Sequence, residues 1–363
     1  MRPFKFVVTF SVIFMLALLL ATPSFSAEKS AGKVYKIGYI EGGEFWVFTE
    51  IKNLIQKYMN EPGHINAPEW NGKVEYPADA QFSPGWDDEN LKKLPEMAQR
   101  LMARDDLDLI IAAGTDATRA VLKANNNKTP IISIAVSDPI KSGFVKDEND
   151  SGIDNYTARL EPGRYKRMFR IFHDVVMFQK LGLMYPDNDS GRLYTNLDEA
   201  YQVSKERGFQ VIEYNKVSSV ESNEECYEGI KYLIDKGIDA FFIPVLNCFD
   251  WKKSDVKRLL DLLTENKIPT FAREGTKYVK SGALMGFSSI DFSQRTRFIV
   301  RKIIRIFNGE KPRSLPMVDD AVPKISINLH VAEQIGFDPS FDILSATDEI
   351  FQENILPDDR LVK

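Results

Sequence analysis

The chain has 363 residues, of which 44% are hydrophobic and 27% are charged, and this length predicts about two folded domains. Its formal net charge of −5 excludes the overall basic character of nucleic-acid-binding proteins, so no nucleic acid is expected as a partner. Two cysteines, Cys226 and Cys248, and three scattered histidines form neither a disulfide scaffold nor a cluster of metal ligands. No cofactor is implied by this composition.

The first 26 residues have the pattern of a secretory signal peptide. Arg2 and Lys5 precede an apolar run over 6–21, and small residues follow, which predicts cleavage after Ser26 or, as a second choice, after Ala27. An uncleaved anchor is the alternative, but a membrane span needs roughly 20 apolar residues and this run is shorter. We therefore expect export to an oxidising compartment such as a periplasm. There the two cysteines either pair with each other or remain as two buried thiols.

Short apolar runs rich in β-branched and aromatic residues then alternate with amphipathic helical segments. This order predicts an α/β protein with parallel sheets and helices on both faces. The predicted strands are 34–40, 107–113, 130–136, 180–185, 209–214, 240–244, 268–272 and 324–328, and the predicted helices lie near 115–122, 190–207, 222–236, 252–266, 292–307 and 329–335. Residues 61–88 are rich in Pro, Gly and Asn, and we expect long loops there around a strand near Val74.

The residues that follow the predicted strands are the candidates for a binding site, because ligands of open parallel sheets bind beyond the carboxyl ends of the strands. They are Glu41, Gly42, Phe45, Trp46, Gly114, Thr115, Ser137 and Asp138 in the first half, and Tyr185, Asn188, Asn247 and Arg273 in the second. We take these twelve as the predicted ligand-binding residues.

Each candidate also has a purely structural interpretation. The N–H groups of a helix that begins at Gly114 and Thr115 suit a carboxylate, or the turn merely caps the helix. Asp138 can accept a hydrogen bond from an ammonium group, or it shapes a turn. Arg273 can clamp a carboxylate with its guanidinium group, or it pairs with a neighbouring acid. The aromatic candidates offer stacking faces, or they lie in the core.

Motifs of several enzyme classes are absent from the sequence. It contains no Gly-x-Ser-x-Gly elbow, no Gly-Lys-Ser/Thr phosphate loop and no Gly-x-Gly-x-x-Gly after the first strand. Glu41 and Glu44 stand three residues apart and are conceivable as an acid–base pair, but solvated loop acids are the commoner explanation of such a spacing. The sequence therefore favours binding over catalysis.

Four stretches resemble the ABC transporter substrate-binding proteins of the type I periplasmic-binding-protein fold, in the branch that includes aromatic amino-acid binders. They are 108–117 (DLIIAAGTDA), 130–145 (PIISIAVSDPIKSGFV), 279–284 (VKSGAL), and 307–312 (FNGEKP) with its continuation to Leu329. The resemblance implies two Rossmann-like lobes joined by a three-segment hinge, with lobe 1 at 34–155 plus 288–324 and lobe 2 at 156–287 plus 325–363.

The resemblance also implies a function. The lobes would close over a small polar or amino-acid-like ligand, and the monomeric protein would deliver it to an ABC permease. The start of the helix at Gly114 would hold the carboxylate, Asp138 or Glu41 the ammonium group, and Phe45, Trp46 or Tyr185 the side chain. The chain departs from the family pattern at 61–88, at Asn247, where members usually carry Asp, and at Arg273-Glu274. A periplasmic sensor that docks on a sensor kinase or chemoreceptor is the alternative.

Overall fold

Residues 32–362, apart from 62 and 219, are described by a computed structural model, and they form two α/β lobes with one sheet each. The predicted signal peptide lies outside the described residues. Within the described part of the chain, no helix is both long and apolar enough to cross a membrane.

The first sheet is entirely parallel and has the strand order β2-β1-β4-β5-β6, with β3 following β2 along the same edge of β1. Its strands are β1 (Val34–Glu41), β2 (Lys73–Glu75), β3 (Gln81–Phe82), β4 (Leu109–Ala113), β5 (Ile131–Ile134) and β6 (Tyr156–Thr157). Its helices are α1 (Trp46–Asn60), α2 (Asp88–Leu91), α3 (Leu94–Met102) and α4 (Thr115–Lys123). Every residue of β4 and β5 is buried, as expected for parallel strands that are covered on both faces.

The second sheet has seven strands in the order β13-β12-β11-β10-β9-β7-β8. Its strands are β7 (Lys180–Met184), β8 (Gln210–Tyr214), β9 (Ala240–Ile243), β10 (Thr270–Ala272), β11 (Met285–Phe287), β12 (Ile325–Asn328) and β13 (Glu349–Phe351). The helices along this part of the chain are α5 (Arg164–Val176), α6 (Asp189–Tyr194), α7 (Leu197–Arg207), α8 (Asn223–Asp235), α9 (Val256–Glu265), α10 (Thr276–Lys280), α11 (Ser289–Phe307), α12 (Leu329–Ile335) and α13 (Phe341–Ser345). The pairs are parallel, as predicted, except β11–β12, which is antiparallel.

Three chain segments cross between the lobes. The first follows β6, the second joins β11 to α11, which packs against α1 of the first lobe, and the third joins α11 to β12. Two of the crossings are bound together, because Leu160 N–H donates to the Met317 carbonyl and Asp319 N–H donates to the Leu160 carbonyl, both at 2.8 Å. The Ser288 N–H also donates to the Lys324 carbonyl, at 2.7 Å. Main-chain hydrogen bonds therefore hold the hinge segments side by side.

The predicted elements match the structure in position, with corrections at some ends. The helix predicted near 190–207 is two helices, α6 and α7, because Asn196 adopts a left-handed conformation (φ 59°) between them. Helix α9 begins at Val256 rather than near 252, since the Asp255 side chain caps it by accepting a hydrogen bond from the Arg258 N–H. The 61–88 stretch contains two short edge strands, β2 and β3, where one was expected.

Candidate functional site

A cavity of about 820 Å³ lies between the two sheets and is lined by residues of both lobes. Eight of the twelve predicted residues line it: Gly42, Phe45, Gly114, Thr115, Ser137, Asn188, Asn247 and Arg273. They come from different loops that follow strands, and the parallel arrangement brings these loops to one edge of each sheet. A cavity of this size, with apolar walls and a few polar groups, is typical of small-molecule sites.

Glu41 and Tyr185 are not among the cavity-lining residues, because each side chain is bonded within its own lobe. The Glu41 carboxylate accepts hydrogen bonds from the Tyr39 hydroxyl at 2.7 Å and the Ser83 hydroxyl at 2.8 Å. Tyr185 is 1% exposed, packs in the core of the second lobe, and donates its hydroxyl proton to Glu213. The structure therefore gives both side chains hydrogen-bond partners within their own lobes.

Trp46 and Asp138 also lie outside the cavity lining. The Trp46 indole N–H donates to the Tyr278 hydroxyl at 2.9 Å and its ring packs against Tyr278 and Phe292, so it joins the two lobes. One carboxylate oxygen of Asp138 accepts from the N–H groups of Ile140 and Lys141, at 3.0 and 2.9 Å, which is the turn-shaping role.

The start of α4 forms one wall of the cavity. Gly114 precedes the helix with φ +80°, and a Cβ atom there would lie 2.8 Å from the Phe48 ring, so glycine is required on both counts. No side chain of the described residues caps this helix, and Thr115, Asp116 and Ala117 of its first turn line the cavity. The helix thus presents N–H groups and the positive end of its dipole to the cavity.

Aromatic side chains form a second wall. Phe45 and Phe48 pack edge to face at 5.6 Å, and Phe48 contacts Trp86 at 6.1 Å. The Trp86 indole N–H donates to the Glu44 carbonyl at 3.0 Å, which fixes its ring over the loop that follows β1. Trp86 belongs to the 61–88 stretch, so this irregular segment contributes directly to the cavity. The wall offers faces on which a flat or apolar group can pack.

Arg273 is a buried cation at the cavity. It is 4% exposed, and its guanidinium group donates to the Tyr165 hydroxyl at 2.9 Å and to the Ser137 hydroxyl at 3.2 Å. Its Nε atom is buried and has no hydrogen-bond partner among the described residues; the nearest acid, Glu274, lies at 3.8 Å. Since Ser137 comes from the first lobe, Arg273 joins the lobes and retains a donor for a further acceptor.

Charged residues of the first crossing segment form a second group at the cavity. Glu161 accepts from Arg159 at 2.7 Å and from Arg164 at 2.8 Å, and Arg159 also pairs with Asp319 at 2.7 Å. Burial opposes ionisation of Glu161, but Arg164 and Arg159 outweigh it and hold its pKa at about 2. Glu161 is therefore fully ionised at neutral pH, and its partner Arg159 also bonds Asp319 in the third crossing segment.

Glu221 is a third charged group, in the loop between β8 and α8. Its carboxylate accepts from the Asn247 backbone N–H at 2.5 Å and the Tyr194 hydroxyl at 2.8 Å. Burial raises its pKa to about 7, and these hydrogen bonds offset the effect only in part. All three residues line the cavity.

The two cysteines form a disulfide next to this group, which resolves the alternative that the sequence left open. Cys226 in α8 is bonded to Cys248, the residue after Asn247. The Ser222–Glu225 capping box fixes the start of α8 on the other side of Glu221. Together these bonds hold the Glu221 loop and the Asn247 turn in place.

Sequence reasoning missed Glu161, Tyr165, Tyr194 and Glu221. The search was confined to residues directly after strands, but Glu221 lies seven positions beyond the end of β8 and Tyr194 is in the last turn of α6. Glu161 belongs to the Glu161-Pro162-Gly163 sequence, which was interpreted only as the end of the first half of the chain. In the structure this sequence is part of the hinge, and Glu161 lines the cavity. Attention to charged residues in the crossing segments would have found Glu161.

The two-lobed fold, the hinge and a cavity between the lobes define a solute-binding protein. The model of the family described as ABC transporter substrate binding protein matches residues 87–350, so the chain belongs to that family. The resemblance seen in the sequence is confirmed. The family consists of binding proteins rather than enzymes.

Individual relatives agree with this assignment. The tyrosine-binding protein of Clostridioides difficile (strain R20291) is 26% identical over 229 residues, which are 62% of this chain and 61% of that protein. The ABC domain of Streptococcus pneumonia in complex with L-Trp superposes with a TM-score of 0.69 at 20% identity, covering 88% of this chain and all of that one. A conserved domain protein from Vibrio cholerae gives a TM-score of 0.70 at 16% identity with the same coverage. The structural matches confirm the predicted type I periplasmic-binding-protein fold.

Proposed function

We propose that this protein captures an amino-acid-like solute with an aromatic or apolar side chain outside the cytoplasm, and delivers the closed complex to an ABC permease. The observation that carries the proposal is a cavity between the lobes that combines a buried arginine with an aromatic wall. Arg273 and the start of α4 receive the carboxylate, and Phe45, Phe48 and Trp86 receive the side chain. The two amino acids named for the relatives, tyrosine and tryptophan, fit this chemistry.

Closure follows from contacts that the ligand makes with both lobes. The α4 start and the aromatic wall belong to the first lobe, whereas Arg273 and Asn247 belong to the second. A ligand that touches both favours the closed arrangement by its differential affinity for that state. The permease then recognises the closed protein.

A thermal-shift screen of the purified protein against amino acids, small carboxylates, nucleobases and sugars tests the proposal. A ligand at about 100 times its dissociation constant stabilises the protein by roughly 2.7 kcal/mol, which raises the melting temperature by about 2–4 °C in proteins of this size. We expect L-tyrosine or L-tryptophan to be among the hits. A flat screen on well-folded protein contradicts the amino-acid assignment.

The Arg273→Gln variant locates the carboxylate site. Loss of a charge-assisted hydrogen bond is expected to weaken binding of the best amino acid about 10- to 100-fold. Arg313→Gln is the matched control, because Arg313 pairs with Asp150 and Asp154 on the exposed surface away from the cavity. This variant should bind the amino acid with the same affinity as the wild type. Equal affinities in wild type and Arg273→Gln contradict the assignment of Arg273.

Delivery to a permease requires a test in cells. Deletion of the gene should abolish high-affinity uptake of the radiolabelled hit, and the wild-type gene should restore it. Normal uptake in the deletion strain contradicts a transport role.

A further inference from the structure

Glu221 is an acid at the cavity with only neutral hydrogen-bond donors. It is 7% exposed, and its two oxygens are bonded to the Asn247 N–H and the Tyr194 hydroxyl. No lysine, arginine or histidine in the described part of the chain forms an ion pair with it. The closest cationic influence is Lys253, whose ammonium group donates to the Glu44 carbonyl. Its negative charge therefore lacks an ion-pair partner among the described residues, and a buried charge is stable only when it is paired.

Asn247 supplies a second acceptor at the same place. Its backbone N–H donates to Glu221 at 2.5 Å. The Asn247 Oδ1 atom is buried and has no hydrogen-bond partner among the described residues. Asn247 lines the cavity together with Glu221. A carboxylate without a counter-ion and a carbonyl oxygen without a donor together match a group that carries positive charge and several N–H donors.

We propose that Glu221 and the side-chain oxygen of Asn247 bind the primary ammonium group of the ligand. This subsite rests on the proposed function and refines it: the solute is an α-amino acid or a related primary amine, and the acid that recognises it is Glu221 rather than Asp138 or Glu41. Asp138 and Glu41 have their own hydrogen-bond partners within the first lobe, whereas Glu221 has no cationic partner among the described residues.

The subsite is already formed without a ligand. The disulfide joins α8 to the residue after Asn247, and the capping box orders the chain directly after Glu221. Tyr194 holds the other carboxylate oxygen from α6. Because these three supports come from different elements, the carboxylate does not need to be ordered when the ligand binds, which preserves binding free energy.

The test compares three probes by calorimetry at pH 8: L-tryptophan, tryptamine, which lacks the carboxylate, and indole-3-propionate, which lacks the amine. In Glu221→Gln the affinities for L-tryptophan and tryptamine should fall about 10- to 100-fold, as expected for loss of a hydrogen bond to a charged group, while that for indole-3-propionate stays within about two-fold. Arg273→Gln should show the converse pattern, with the loss confined to the two carboxylate probes. Glu228→Gln is the matched control, since Glu228 lies on α8 but pairs with Lys231 at 3.0 Å on the surface, outside the cavity lining, and it should leave all three affinities within about two-fold.

Glu221→Asp is a second variant that keeps the test valid if Glu221→Gln does not fold. It retains the charge, so it should still discriminate L-tryptophan from indole-3-propionate, with an affinity for L-tryptophan between those of the wild type and Glu221→Gln. If the wild type binds L-tryptophan and Glu221→Gln binds it equally well, the subsite is wrong and the proposed function stands. If the wild type binds neither these three probes nor the matching set of L-tyrosine, tyramine and 3-(4-hydroxyphenyl)propionate, the proposed function and the subsite both fail.

Discussion

Glu161 and Glu221 line the same cavity as largely buried acids, yet their electrostatic surroundings are opposite. Burial disfavours the ionised form of both. At Glu161 two guanidinium groups overcome burial and keep its pKa at about 2, whereas at Glu221 neutral donors do not, and its pKa rises to about 7. Glu161 is therefore a structural charge that is neutralised by arginines of the protein. Glu221 is an acid for which we propose a cationic partner on the ligand.

Glu161→Gln is expected to have the largest effect on stability. It removes the anion shared by Arg159 and Arg164, and disruption of a buried ion pair costs about 3–5 kcal/mol. Urea denaturation at pH 8 measures this loss. Glu206→Gln is the control, because Glu206 pairs with Arg170 on the surface and should cost less than about 1 kcal/mol. If Glu161→Gln and Glu206→Gln lose equal free energy of unfolding, Glu161 is not a structural charge that is matched inside the protein.

The disulfide beside Glu221 is expected to contribute about 3 kcal/mol, because the linked cysteines are 22 positions apart and the cross-link restricts the unfolded chain. Replacement of Cys226 and Cys248 by Ser should lower the free energy of unfolding by that amount. Wild-type protein reduced with dithiothreitol should then match the double variant. If full reduction, verified by thiol labelling, leaves the unfolding curve unchanged, the cross-link does not stabilise the fold.

The dependence of protein stability on pH tests the raised pKa of Glu221. The pKa of Glu221 is raised in the folded state, so the unfolded chain releases this proton first as pH rises above 4.5. Its contribution to stability is fully present below that pH and is lost between 4.5 and about 7, a loss of about 3 kcal/mol by pH 8. Tyr194 stays neutral over this range because burial raises its pKa well above 10, and the charge of Lys253 acts in the direction that lowers the pKa of Glu221.

Glu221→Gln lacks this titration. Relative to the wild type, the variant should therefore gain stability as pH rises from 4.5 to 8, and it should be the more stable protein at pH 8. Urea denaturation at closely spaced pH values measures the difference. A constant difference across the range contradicts the raised pKa of Glu221. A gain in stability with loss of ligand affinity is the behaviour expected of a binding residue.

The order of strands and helices could be predicted because it depends on local hydrophobic patterns. The eight cavity residues found from the sequence share one property: they follow strands closely, and parallel sheets bring such residues together. Glu41 and Asp138 do not line the cavity, because the partners that satisfy them, Ser83 and the turn after Asp138, are set by side-chain geometry that sequence spacing does not report. Glu221 was missed for the converse reason, since only its burial without an ion-pair partner among the described residues distinguishes it from a solvated acid.

The smallest expected effect concerns a charge pair that joins the lobes at the surface. Lys141, in the segment after β5 of the first lobe, pairs with Asp198 at 3.1 Å and Glu199 at 2.6 Å in α7 of the second lobe. This pair forms only when the lobes are close, so it should favour the closed arrangement that we propose for ligand binding, but partly exposed pairs contribute only about 0.2–1 kcal/mol.

Lys141→Met should therefore weaken binding of L-tryptophan by no more than about five-fold at low salt, and the difference should disappear near 1 M salt, where the screening length is about 3 Å. Lys231→Met is the matched control, because Lys231 pairs with Glu228 within α8 and cannot respond to lobe closure. An effect above ten-fold, or one that persists at high salt, would contradict the surface-pair explanation. It would mean that Lys141 acts on the bound ligand itself.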